Sequence, residues 1–294
     1  MSLKIAIAIA TAGRADVLSD TLGVLAEQSR IPDELLICPA RSDDLDASAL
    51  DTYSGRFSVC HGALGLTAQR NLMLRSTDAD VVVFFDDDFI PARDYVAEVE
   101  LLFEAYPKMI MATGTVLADG ITGPGLTHLE GLRIVEGSRH DAVLSLPEPV
   151  YNGYGCNMAV RMDPVRRHGI EFDERLPLYG WLEDVDFSRR LARHGGIVRS
   201  ARLRGVHLGT KGSGRSPGRR LGYSQIANPI YLARKGTMSW ERVARQICRN
   251  LVANSLRSLF PEPWTDRLGR LAGNGTAILD LLTGKLRPEN ALRS

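Results

Sequence analysis

The chain has 294 residues, 44% of them hydrophobic, enough for a substantial core and the mark of a globular protein. Its 36 basic and 35 acidic side chains leave a net charge of +1, so no global field draws it to nucleic acid or to an anionic membrane, and any asymmetry must be local. The longest apolar runs, Ile5 to Ala10 and Val81 to Phe85, fall far short of the roughly 20 residues a bilayer span needs. Four scattered cysteines without a CxxC pair point to reduced thiols, and the N-terminal apolar run reads better as a strand than as a signal peptide, so a cytoplasmic chain is expected.

In chain order, LKIAIAIA (Leu3 to Ala10) reads as a first strand. After the break at TAGR, a helix sets Val17, Leu18, Leu22, Leu25 and Ala26 on one face. DELLICPA is a second strand stopped by Pro39, FSVCHG a weaker third, LTAQRNLMLRST a second helix, and DADVVVFF a fourth strand, apolar on both faces. This alternation implies an α/β fold with a doubly wound, mostly parallel sheet, which binds ligands beyond the carboxyl ends of its strands. The loops after Ala10, Cys38 and Phe85 should then share one rim.

From Met109 to Val150 the periodicity is poor, and strands with long irregular loops are expected. YNGYGCNMAVRMDPVRRHG gives a Gly-rich turn, a short strand and a helix starting at Asp163 and Pro164. WLEDVDFSRRLARHGG holds a further helix closed by two glycines, and IVRSARLRGVH a strand that leads into a basic loop, GTKGSGRSPGRR. From Ser239 the tail is helical, with Val243, Ile247, Leu251, Leu256 and Leu259 set against Arg242, Arg245, Arg249 and Arg257, and a second helix follows Pro263. The expected division is an α/β domain at residues 1–235 and an amphipathic helical extension at 236–294. The apolar stripe of that extension either packs on the domain or makes peripheral contact with a membrane carrying a lipid-linked acceptor.

Three consecutive carboxylates, Asp86, Asp87 and Asp88, close the fourth strand just before Pro91, the residue expected to end it. Buried without a counterion they would cost several kcal/mol, so they form either a solvated, helix-capping turn or a site for a hard divalent cation such as Mg²⁺ or Mn²⁺. Asp184 stands on the apolar stripe of its helix, in the first turn, where a carboxylate can be held ionised by the helix dipole and serve as a base. Glu183 beside it is a helix-start acid or a supporting partner, and Asp186, three and four residues before Arg189 and Arg190, reads as an ordinary solvated ion pair. His207, at a strand end, precedes Lys211, Arg215, Arg219 and Arg220 in a loop that could fold over a diphosphate.

IAIATAGR, the DDD run, GLTAQRN, GYGCNMAVR, LEDVDFSRRL and His207, in that order, resemble the motifs of inverting glycosyltransferases with the GT-A fold, glycosyltransferase family two. The resemblance spans roughly Lys4 to His207. It implies a nucleotide-sugar donor, a divalent metal and an acceptor hydroxyl on a saccharide or lipid-linked saccharide. By the family pattern, Asp88 holds the metal, joined in some members by a histidine matching His207. Asp86 contacts the ribose or donor sugar, and Asp184 is the base. Thr11, Arg14 and Arg70 match positions that hold the nucleotide, and Gly155 and Asn157 match the loop lining the donor and acceptor pockets. The basic loop, with Lys211 and Arg215, and Asp87 are assigned to the same donor side. One motif departs: the acidic pair that reads the base is replaced by Pro39 and Ala40, leaving Asp43 or Asp44 from a shifted loop, or the backbone with Arg41. A UDP- or dTDP-sugar is favoured over a GDP-sugar. A sugar nucleotidyltransferase is the weaker alternative, since TAGRADV lacks its Gly-rich basic signature, and a non-catalytic nucleotide-sugar-binding module would lack the base or metal positions.

Overall fold

The computed structural model describes residues 2–51, 53–138, 146–211 and 218–293. Its strands form one mixed sheet in the order β3-β2-β1-β4-β8-β6-β9-β5. β1 (Ile5–Thr11) lies between β2 (Glu34–Pro39) and β4 (Val81–Asp86), parallel to both, and β3 (Phe57–Val59) extends the parallel run. β8 (Asn157–Arg161) turns the sheet over, antiparallel to β4 and to β6 (Met109–Asp119). β9 (Gly196–His207) runs parallel to β6, and the short β5 (Phe89–Pro91) and β7 (Glu148–Pro149) pair antiparallel with β9. The expected α/β class is what the chain adopts, with its parallel run at β3-β2-β1-β4.

Alternation along the central strands fills two cores. Ile5, Ile7, Ile9, Val81, Val83 and Phe85 pack beneath α1 (Ala15–Ala26) and α3 (Tyr95–Ala105). Ala6, Ala8, Val82 and Phe84 face α2 (Leu66–Ser76), α5 (Met162–His168) and α6 (Glu183–Leu191). Alanines on that face of β1 let α2 lie close. As a result Gln69 reaches the ends of two strands, donating from Nε2 to the carbonyls of Thr11 (3.0 Å) and Cys38 (2.6 Å).

Three expectations change. β4 closes at Asp86 instead of running on to Pro91: a two-residue turn at Asp87 and Asp88 follows, and Phe89–Pro91 is its own strand on β9. The stretch expected to be strands and irregular loops contains α4 (His128–Gly137), with Thr127 and Glu130 forming a capping box. Asp186 is fully buried, not solvated, because beyond its ion pair with Arg190 (3.0 Å) it accepts from Lys235 Nζ (2.8 Å) and Thr237 Oγ1 (2.8 Å).

Lys235 ends α7 (Gly218–Lys235), which packs with α8 (Trp240–Ser258) and α9 (Arg267–Leu282) around Tyr223, Ile226, Ile230, Val243 and Ala277. Asn254, Gln225 and Asn274 form a buried amide network inside this bundle. Asn228 of α7 also donates to the carbonyl of Trp181 (2.7 Å), which fastens the bundle beside the start of α6.

Candidate active site

The carboxyl ends of β1, β2 and β4 open into a cavity of about 550 Å³ lined by Thr11, Arg14, Ala40, Gln69, Asp86 and Tyr179, among others. The turn after β4 sends its three carboxylates in different directions. Asp86 is half-buried and lines the cavity. Asp87 is fully buried, where it accepts from Thr11 Oγ1 (2.7 Å) and pairs with Arg14 (2.5 Å). Burial pushes its carboxyl up to about 7 against the pull of Arg14. Asp87 therefore holds Thr11 and Arg14 in place and presents no free surface to a donor.

Asp88 accepts from the Thr210 backbone N–H on Oδ2 (2.8 Å), while its buried Oδ1 has no hydrogen-bond partner and lies 3.4 Å from His207 Nε2. Asp86 Oδ2 is 3.8 Å from the same nitrogen. The other ring nitrogen, Nδ1, is 2.9 Å from Asp119 Oδ1, and Asp119 in turn accepts from the Tyr154 hydroxyl (2.9 Å). Burial alone would raise Asp88 and lower His207; their contact, with Arg14 and Asp119 added, wins. Asp88 is held well below the usual carboxylate range and His207 is raised to about 10.

One ligand atom each from Asp86, Asp88 and His207 lies within 4.8 Å of the others. An orphaned buried carboxylate oxygen, a facing imidazole nitrogen and a second carboxylate fit a small hard cation that keeps open positions for water and phosphate oxygens. The hydrogen bond that the far ring nitrogen donates to Asp119 is the usual support of a metal-binding histidine. Asp119, Tyr154 and Gln69 escaped the sequence reading. Asp119 carried one usable signal, since it is the carboxylate at the end of β6 and pairs in register with His207 of β9.

Arg70 organises the opposite wall. Its buried guanidinium lies between the rings of Phe84 and Phe172 and reaches Glu183 Oε1 (2.5 Å), Asp86 Oδ1 (3.0 Å) and the Gly155 carbonyl (2.8 Å). Gly155 makes room for this approach, as a Cβ there would sit 3.0 Å from Glu183 Oε1 and 3.3 Å from Arg70 Nη1, tighter than ordinary contact. Its backbone N–H donates to Asp184 Oδ2 (3.2 Å), and the Val185 N–H donates to Oδ1 (2.8 Å). Burial raises the Asp184 carboxyl above its ordinary value, those two N–H groups opposing. The segment entering α6 is strained: Leu178 and Leu182 both take left-handed φ, 62° and 72°.

The remaining expected residues scatter. Asn157 is fully buried between β4 and β6, accepting from Thr113 Oγ1 (2.8 Å), and does not reach the cavity. Asp44 is buried and accepts from the backbone N–H groups of Gly13 (2.6 Å) and Arg41 (2.9 Å), bracing the β1 loop. Asp43 is exposed, 3.4 Å from Arg41. Lys211 donates to the carbonyls of Gly120 (3.0 Å) and Ile121 (2.9 Å). Arg215 lies outside the described residues.

The family model for glycosyl transferase family 2 matches residues 6–169, more than half of the chain. No curated protein matches. Among solved structures, the mannosyltransferase PcManGT from Pyrobaculum calidifontis, in complex with GDP-Man and Mn²⁺, superposes with a TM-score of 0.58 at 14% identity over 99% of this chain and 86% of that one. S. aureus TarS 1–349 gives 0.53 at 15% identity over 77% of this chain, which spans 66% of that structure. The same fragment in complex with UDP-GlcNAc gives 0.52, also at 15% identity, over 77% of this chain and 67% of that one. At such identities the likeness is one of fold, and the match over residues 6–169 carries the assignment: the chain belongs to glycosyl transferase family 2.

Proposed function

We propose that the protein is an inverting glycosyltransferase that moves a sugar from a nucleoside-diphosphate sugar to a hydroxyl of a saccharide or lipid-linked saccharide, with Asp184 as the base. The observation that supports this best is the joining of two carboxylate sites through one side chain. Arg70 grips Asp86 on the cavity side and Glu183, the neighbour of Asp184, on the other. The cavity, walled by Thr11, Arg14 and Gln69, suits the nucleotide.

Asp86, Asp88 and His207 would hold a divalent cation. When bound, the cation neutralises charge on the departing diphosphate. The other steps belong to the chain. Asp184 takes the proton of the acceptor hydroxyl, and the oxygen forms its bond to the anomeric carbon as the bond from that carbon to the diphosphate oxygen breaks. The nucleoside diphosphate leaves with the electron pair, and attack from the opposite face inverts the anomeric centre. The raised pKa of Asp184 makes it a stronger base than a free aspartate, and two backbone N–H groups keep it aimed.

Asp184→Asn should abolish transfer while leaving Mn²⁺-dependent binding of the nucleoside diphosphate nearly intact. Wild-type turnover by this variant would remove Asp184 from the role of base.

A further inference from the structure

The C-terminal helices bury one side and leave another open. Val243, Ile247 and Leu251 of α8 pack within the bundle of α7 and α9. On the outward side, Arg245, Arg249, Val252, Leu256 and Leu259 follow at intervals of four, three, four and three residues, the spacing of one helix face, and all five are exposed. α9 repeats that spacing with Leu268, Ala272, Gly275, Leu279 and Leu282, again all exposed. At the turn between the two helices Leu259, Phe260 and Leu268 are 72%, 78% and 68% exposed, with Trp264 beside them. Isolated exposed leucines are ordinary, but a continuous apolar tip of this kind marks a contact surface.

Charge decides what the tip meets. Residues 218–293 carry 13 Lys and Arg against 5 Asp and Glu, a net +8, and since the whole chain is +1 the remaining residues carry −7. A second copy meeting this one through the same helices would bring together two segments that each carry a net +8. An anionic bilayer satisfies both features, taking the leucines, Phe260 and Trp264 into its interface and the arginines to its headgroups. No helix among the described residues is long and apolar enough to cross a membrane, so the contact is peripheral.

We propose that the α8–α9 hairpin is a docking surface for anionic phospholipid bilayers. The proposal stands independently of the transferase reading, and its test uses the full chain without nucleotide. Sedimentation with vesicles of phosphatidylcholine alone, and of phosphatidylcholine with phosphatidylglycerol, should show binding only to the second. That binding should weaken as salt cuts the screening length from about 10 Å at 0.1 M to about 3 Å at 1 M. Because Leu259 and Phe260 are exposed, the double variant Leu259→Ser, Phe260→Ser should keep the wild-type Tm and lose about tenfold or more in vesicle affinity. Arg245→Gln with Arg249→Gln should reduce the preference for phosphatidylglycerol. Equal binding to both vesicles, binding to neither, or full binding by the double variant would overturn the proposal. A light-scattering mass of two copies that the double variant halves, without vesicle binding, would assign the face to a second copy instead.

Discussion

At the scale of single residues, one guanidinium bears more of the site than any carboxylate. Arg70 is the counterion of Glu183 and Asp86 and the donor to the Gly155 carbonyl, and its own side chain is buried. Removing one partner of a buried pair leaves the others charged and uncompensated, a cost of about 3–5 kcal/mol. Arg70→Ala should therefore lose stability on that scale in urea unfolding at neutral pH, and a loss below about 1 kcal/mol would mean the network is not charged as described. Asp184 behaves oppositely. Its folded pKa lies above the ordinary value, so its ionisation costs stability progressively as pH rises from the ordinary carboxylate pKa through the raised one. Asp184→Asn lacks that cost and should melt above wild type at neutral pH, by about 2–4 °C for each kcal/mol relieved, with the gap shrinking in acid. A gap that widens in acid would contradict the raised pKa. The gathering of Asp86, Asp88 and His207 was legible because rare chemistry stood at element ends in a recognisable order. Asp186 was misread because its partners Lys235 and Thr237 lie some fifty residues on, beyond any local spacing rule.

At the scale of elements, the register of β6 against β9 sets Asp119 against His207, the histidine of the Asp86, Asp88 and His207 cluster. The register shifts between Gly114 and Thr115 and again between Val116 and Ala118, after which Asp119 stands opposite His207. A Cβ on Gly114 would fall 2.4 Å from the Leu203 carbonyl oxygen and 2.9 Å from Asn157 Nδ2. Gly114→Ala should cost about 1–3 kcal/mol by overpacking. It should also weaken Mn²⁺ binding measured by calorimetry, since Asp119 moves with β6, and unchanged metal affinity would separate the bulge from the site. The parallel half of the sheet was readable from its alternation with helices. α4 was not, because its apolar positions lie between a glycine-rich approach and a short helix, and only its Thr127–Glu130 capping pair marked the start. Nor could sequence show that Asp87 turns to Thr11 and Arg14 while Asp86 and Asp88 approach His207, since that depends on a two-residue turn between β4 and β5.

At the scale of the whole molecule, the helical bundle and the catalytic sheet meet at α7. Asn228, Lys235 and Thr237 join the bundle to the segment around α6, so Asp184 and the cationic hairpin share one support. The amphipathic stripe read from the tail divides in the structure: Val243, Ile247 and Leu251 pack inside the bundle, and Leu256 and Leu259 remain outside. The central claim, a nucleoside diphosphate held beside a cation by Asp86, Asp88 and His207, is tested most directly by calorimetry of UDP, dTDP and GDP with and without Mn²⁺. One of these nucleotides should bind only when the metal is present, and at 100 times its Kd should stabilise the fold by about 2.7 kcal/mol. Asp88→Ala should remove the metal dependence. Binding by none of the three, or an affinity in wild type that is the same with metal and with chelator, would contradict it.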